Sequence, residues 1–190
     1  HNFYLSGIMM NKGKIKFDCG QTPKEFNEVK FLKEYKKFNF YDFQGSTWAP
    51  TLVHKSVWES VGGFSEEFFP GSGSDPDFNM KLWKIGVRIF KGLNDFKVYH
   101  FGSVVLRKKI NEIVKGNKYG SKGGKIFLLK WGITIRFFKK FYLLSDTEYV
   151  APLEEPNKKF LYYVKLFVCK LNYLYLRIFY SKLKIKLSSK

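Results

Sequence analysis

Two carboxylates, Asp75 and Asp77, lie just beyond a loop that carries Gly71 and Gly73, in the run Ser74-Asp75-Pro76-Asp77. A carboxylate at the rim of a glycine-bearing loop can take a proton from a bound hydroxyl. Pro76 fixes the backbone beside it, and the two glycines let a substrate come close to the main chain. The same residues also suit a plainer role. Ser74 as an N-cap, with Asp75 and Asp77 in the first turn, is what helix capping and the helix dipole favour without any catalysis. That dipole is expected to stabilise the ionised form of Asp75, which fits a base and equally fits a cap. His100, after a late strand-like run, reads from its surroundings as a core histidine held by a backbone carbonyl, since one imidazole is never a metal site alone.

The elements that must position these groups read as mixed α/β. Phe3 to Met10 and Ile15 to Phe17 have strand character around a turn at Asn11-Lys12-Gly13, where Gly13 is expected to relieve the backbone constraint. Thr22-Pro23-Lys24-Glu25 fits a capping box, followed by Phe26, Val29, Leu32 and Tyr35 at helical spacing, a stripe expected to face inward. A short helix is predicted from Ser56, stopped by Gly62-Gly63, and a second from Ser74 to about Ile85, stopped by Gly86. Val87 to Phe90 and Phe96 to Phe101 are strand candidates. Val104 to Leu144 reads as helical, interrupted by Gly116, Gly120, Gly123 and Gly124, which are expected to form a mobile or ligand-facing loop.

At 190 residues, with 45% hydrophobic and 19% aromatic side chains, the chain has ample material for a core, which excludes a disordered polypeptide. One domain with an appendage is the expectation. The net charge of +18 predicts attraction to nucleic acid, an anionic membrane face or phosphorylated substrates, although abundant Lys, Asn, Phe, Tyr and Ile together also follow from AT-rich coding. Cys19 and Cys169 match neither a zinc spacing nor a dense disulfide framework, so a reducing compartment and ordinary apolar roles are expected. The opening His1-Asn2-Phe3 reads as the approach to a strand rather than a natural start, so the chain is expected to be a piece of a longer one.

Residues 157–190 form a basic, aromatic extension. Lys165, Lys170 and Arg177 within Phe160 to Tyr180 argue against a membrane span. Lys159, Lys170, Arg177 and Lys184 fall within an arc of roughly 40° on a helical wheel, and no acidic residue follows Glu155. Such a helix suits an anionic membrane surface, aromatic face down and basic stripe toward headgroups; a helix packed on its own domain or on a partner is the alternative.

Taken in order, Trp58-Glu59-x-Val61-Gly62-Gly63-Phe64-Ser65-x-x-Phe68, Pro70-Gly71-x-Gly73-Ser74-Asp75-Pro76-Asp77-Phe78 and Lys81-Leu82-Trp83 resemble the acceptor region of family 2 glycosyltransferases. The resemblance continues through Gly86-Val87-Arg88, Val98 to Ser103 and Lys130-Trp131-Gly132, as far as about Pro156. It implies an α/β fold of the partial GT-A kind, a mixed sheet flanked by helices. Residues 1–103 would be the acceptor-side part of the glycosyltransferase domain, and 104–156 a helical region with the glycine-rich loop.

The activity it implies is inverting transfer from a nucleotide-diphospho sugar to a saccharide or lipid-linked acceptor, in surface polysaccharide or glycolipid synthesis at the cytoplasmic face of the membrane. Asp75 would then be the catalytic base, with Asp77 supporting it. His100 would help hold Mg2+ or Mn2+ or the diphosphate, with further ligands from elsewhere. Trp48 would offer a ring to the sugar, Gly71 and Gly73 would admit the acceptor, and Arg107, with Lys108, would contact diphosphate. Ser74 departs from the family pattern, which has an acidic residue there. The nucleotide-binding half, with its Asp-x-Asp motif, is expected upstream, and no independent catalysis is expected of these 190 residues. Two other readings stay open: a degenerate, inactive relative, and a basic module for anionic lipid or nucleic acid. Nucleic acid is the less favoured partner, since no RNA-binding or helix-turn-helix signature accompanies the charge.

Overall fold

The computed structural model describes residues 2–45, 47, 50–69, 71–102 and 119–179. Four strands, β1 (Phe3–Asn11), β2 (Phe43–Gln44), β3 (Thr51–Val53) and β4 (Ile89–His100), make one mixed sheet in the order β2-β4-β1-β3. The two central strands are parallel, with Tyr4 opposite Phe90 and Asn11 opposite His100, and both outer strands run antiparallel to them. β1 is buried along most of its length, as its near-continuous apolar run requires of a strand covered on both faces. The fold is therefore α/β with a mixed sheet, as expected.

Several local expectations change. Ile15 to Phe17 forms no strand beyond a single bridge from Ile15 to Met10. In the turn it is Asn11, at φ 72°, that takes the left-handed conformation, while Gly13 lies where any Cβ would collide with the Met9 backbone. The predicted strands around Val87 and Phe96 are one strand of 12 residues, with an irregularity in its pairing between Ser6 and Ile8 of β1.

Helix α1 (Glu28–Glu34) starts later than the capping-box reading, because the Asn27 side chain accepts from the Lys30 N–H and takes the N-cap. The later start turns the helix face. Val29 and Leu32 are 78% and 58% exposed, and Phe31 points inward instead, stacked on Phe17 and Tyr35, tilted against Phe26 and edge-on to Tyr99.

Helix α2 (Lys55–Ser60) is capped by the His54 side chain, which accepts from the Ser56 N–H, so it begins just before the expected Ser56. It ends as expected. The Gly63 N–H donates to the Trp58 carbonyl and the Gly62 N–H to that of Glu59, both glycines at positive φ, which is the Schellman closure. Helix α3 (Ser74–Lys84) ends in the same way at Gly86, with Val87 donating to Leu82 and Gly86 to Trp83.

Three helices follow: α4 (Tyr119–Trp131), α5 (Ile135–Phe141) and α6 (Phe160–Phe179). The glycines expected in a loop, apart from Gly116, which lies outside the described residues, fall in the first turns of α4. Gly123 is there for a packing reason: a Cβ on it would occupy the space of the Ser72 carbonyl. Loss of a side chain lets the helix lie against the 71–73 loop.

The main core joins Tyr4 and Phe90 of the sheet to Phe78, Leu82 and Trp83 of α3, to Phe127 of α4, Phe138 of α5 and Tyr162 of α6. A second cluster, Ile8, Met10, Phe17 and Phe43, seats α1 near the other end of β1. Cys19 and Cys169 are buried and unpaired with each other, as expected of apolar cysteines.

Candidate functional site

The first turn of α3 places its two carboxylates in opposite surroundings. Gly73, at φ 90°, is the N-cap, so Ser74 is already helical and its hydroxyl donates to the Gly71 carbonyl, 2.7 Å away. Ser74 is thus not the side-chain cap expected of it. Asp77 points inward and is completely buried. Its Oδ1 accepts from the Trp131 indole N–H at 2.7 Å, and its Oδ2 accepts from the Ser65 hydroxyl at 2.6 Å. The Lys130 ammonium lies 3.0 Å from Oδ1 and 3.2 Å from Oδ2, and also donates to Glu67 at 2.7 Å and to Ser65 at 2.9 Å.

Lys81, one turn along α3, stands 3.9 Å from Asp77 and donates to the Gly63 and Val61 carbonyls. Two carboxylates and two ammonium groups therefore neutralise one another in a largely dry pocket. Burial opposes ionisation of Glu67, but the Lys130 ammonium outweighs it and holds the carboxyl below its ordinary range. For Lys81, burial outweighs the attraction of Asp77 and lowers the amine's pKa. A carboxylate saturated in this way has no lone pair aimed outward and is a structural hub. Asp77 supports the site by fixing α3, the 65–68 turn and α4 to one another.

Asp75 is the outward partner. It is half-buried, and among the described residues no lysine or arginine pairs with it. Loss of solvent lifts its pKa from the ordinary 3.8 to about 6. The helix dipole acts in the other direction. Desolvation prevails because the carboxylate lies over buried groups rather than in water. Beneath it is Tyr4, fully buried, whose hydroxyl oxygen accepts from the Asn79 and Thr51 side chains and whose pKa is pushed well above its usual value by burial and then by the charge on Asp75.

Gly71 sits beside this turn at φ 132° with open space where a Cβ would be, whereas a Cβ on Gly73 would press on the Phe68 ring and the Gly123 carbonyl. The two glycines therefore differ. Gly71 leaves room for an approaching molecule, and Gly73 serves the packing of the loop on α4.

The structure does not bring every expected residue to this point. His100 ends β4 opposite Asn11, seven positions along β1 from Tyr4, roughly 20 Å of strand. Asp75 and His100 thus belong to opposite ends of the central strand pair. Among the described residues no three His, Cys, Asp or Glu side chains converge to hold a cation. The described donors do not by themselves make the metal site expected at His100. Trp48, Arg107 and Lys108 lie outside the described residues.

Lys130 and Trp131, noted in the sequence only as part of the resemblance, anchor Asp77. The roles of Ser65, Glu67, Tyr4 and Asn79 were not foreseen. Only the Lys-Trp pair, adjacent in sequence and both donors, carried any hint of a shared acceptor.

No protein-family model matches the chain, and no curated protein or solved structure matches it significantly.

Proposed function

We propose that the chain is the acceptor-side part of an inverting GT-A glycosyltransferase of family 2, with Asp75 as its base. The supporting observation is the division of labour on α3. Asp77 is consumed by structure, whereas Asp75 is left desolvated, without a cationic partner among the described residues, and beside Gly71.

On this reading an acceptor hydroxyl donates a hydrogen bond to the Asp75 carboxylate. As the hydroxyl oxygen bonds to the anomeric carbon of a nucleotide-diphospho sugar, its proton passes to Asp75. The bond to the nucleoside diphosphate breaks, the electron pair leaves with the diphosphate, and the sugar carbon inverts. A carboxylate whose pKa is near 6 is mostly ionised at neutral pH yet basic enough to accept that proton, which is the balance that general-base catalysis favours. Burial of the charge, with no cation paired to it among the described residues, keeps it reactive.

The donor half, the Mg2+ or Mn2+ and its further ligands, and His100 belong to the rest of the reading. So does a place at the cytoplasmic membrane face, making surface polysaccharide or glycolipid. A bound Mg2+ or Mn2+ would neutralise charge on the departing diphosphate. Turnover by the full-length protein, read as nucleoside diphosphate released from a panel of nucleotide sugars, should rise with pH through an apparent pKa of about 6. A rate that does not change through that range contradicts the assignment.

A further inference from the structure

Helix α6 carries two apolar faces, and the fold uses only one. Tyr162, Cys169 and Leu176 are buried and Leu166 partly so, a stripe at helical spacing that packs on α4 and α5. Tyr162 meets the Phe137 and Phe141 rings edge-on, and Cys169 lies 3.7 Å from the Thr134 hydroxyl. The opposite side is equally apolar. Phe160, Phe167, Leu171, Leu174, Tyr175 and Ile178 are all half or more exposed, with Phe160 at 84% and Ile178 at 67%. They fall within an arc of roughly 100°.

The charges are placed at the borders of this face rather than across it. Lys170 and Arg177 flank one border and Lys165 the other, all exposed, and the helix contains no acidic residue. Beyond the Lys165 border a cavity of about 380 Å³ opens between α4, α5 and α6, lined among others by Lys125, Arg136, Asn172 and Tyr175. No helix among the described residues is long and apolar enough to cross a membrane. This arrangement differs from the expected one, in which a basic stripe opposed an aromatic face.

We infer that the outward face of α6 docks into the interfacial layer of an anionic lipid bilayer, helix axis parallel to the surface. The apolar arc reaches the acyl boundary, and the bordering cations meet phosphate and carboxylate headgroups without having to leave water. The cationic borders favour lipid over a second copy of this chain, which would bring like charges together. This surface deepens the membrane placement of the proposed function but uses none of the residues of the Asp75 site, so flotation and sugar transfer can each fail alone.

Flotation of the full chain with phosphatidylcholine vesicles, with and without phosphatidylserine, tests it. Binding should require phosphatidylserine and weaken with salt. Lys170→Ala and Arg177→Ala should each lower affinity roughly fivefold, and the double variant Leu171→Glu, Ile178→Glu should abolish flotation while leaving the thermal unfolding midpoint in place. No flotation with anionic vesicles would overturn the inference, as would equal flotation of the Leu171→Glu, Ile178→Glu variant. So would a dimer in sedimentation velocity that this variant dissolves and that vesicles do not displace.

Discussion

Asp75 and Asp77 are separated by one proline on one helical turn, yet they occupy the two extremes open to a carboxylate in a folded chain. Asp77 is dry, paired and hydrogen-bonded on both oxygens; Asp75 is half-buried and, among the described residues, has no cationic partner. The difference teaches how a first helical turn can be both a buried joint and the edge that the proposed reading makes reactive. The inward residue satisfies buried ammonium and indole groups from α4, and that rigid joint holds the outward residue over Tyr4 at a cost in its own ionisation. Stability and, on the proposed reading, reactivity are thereby assigned to different side chains.

The comparison can be broken first at Asp77. Asp77→Ala leaves Lys130 and Lys81 with Glu67 as the one remaining carboxylate among the described residues and strands the Trp131 N–H and the Ser65 hydroxyl. Removing one partner of a buried ionic web costs about 3–5 kcal/mol, so a lower urea midpoint with that loss is expected. A loss under about 1 kcal/mol would reduce the web to surface decoration.

Asp75 sharpens the contrast by the opposite sign. Its folded-state pKa of about 6 lies above the ordinary 3.8, so the folded chain holds a proton that the unfolded chain has released between these values. Its ionisation therefore costs nothing below about pH 4, and it removes stability progressively until pH passes about 6. Asp75→Asn should accordingly stabilise the fold at pH 7 by about 2–3 kcal/mol, a gain that fades toward pH 4. Equal midpoints of wild type and variant in chemical denaturation at pH 7 would mean that Asp75 is not desolvated.

Local signals carried much of this architecture. The Gly62-Gly63 and Gly86 stops, the limits of α3 and the strand β1 were legible because each rests on neighbouring residues: a left-handed glycine after a periodic run, or an apolar stretch too short for a helix. The phase of α1 was not, since Phe31 is drawn inward by Phe17 and Tyr99, which come from distant segments. The glycines of α4 misled for the same reason. Glycine usually signals a break, but Gly123 answers to the Ser72 carbonyl about fifty residues away in the chain, a constraint no local pattern records.

The candidate site divides along the same line. The pair Asp75 and Asp77 was visible as a motif, and their separation into working edge and joint was not, because Lys130 and Trp131 reach Asp77 from 53 and 54 positions away. The raised pKa of Asp75 likewise depends on what lies beneath it. The dipole of α3 alone would lower it, and burial raises it.

The most direct test of the central claim is the turnover of the full-length protein carrying Asp75→Asn, measured as nucleoside diphosphate release beside the affinity for the nucleotide-sugar donor. Loss of a general base predicts a rate lower by about 10²–10⁴-fold with donor affinity unchanged. An Asp75→Asn protein that turns over at the wild-type rate would contradict the account.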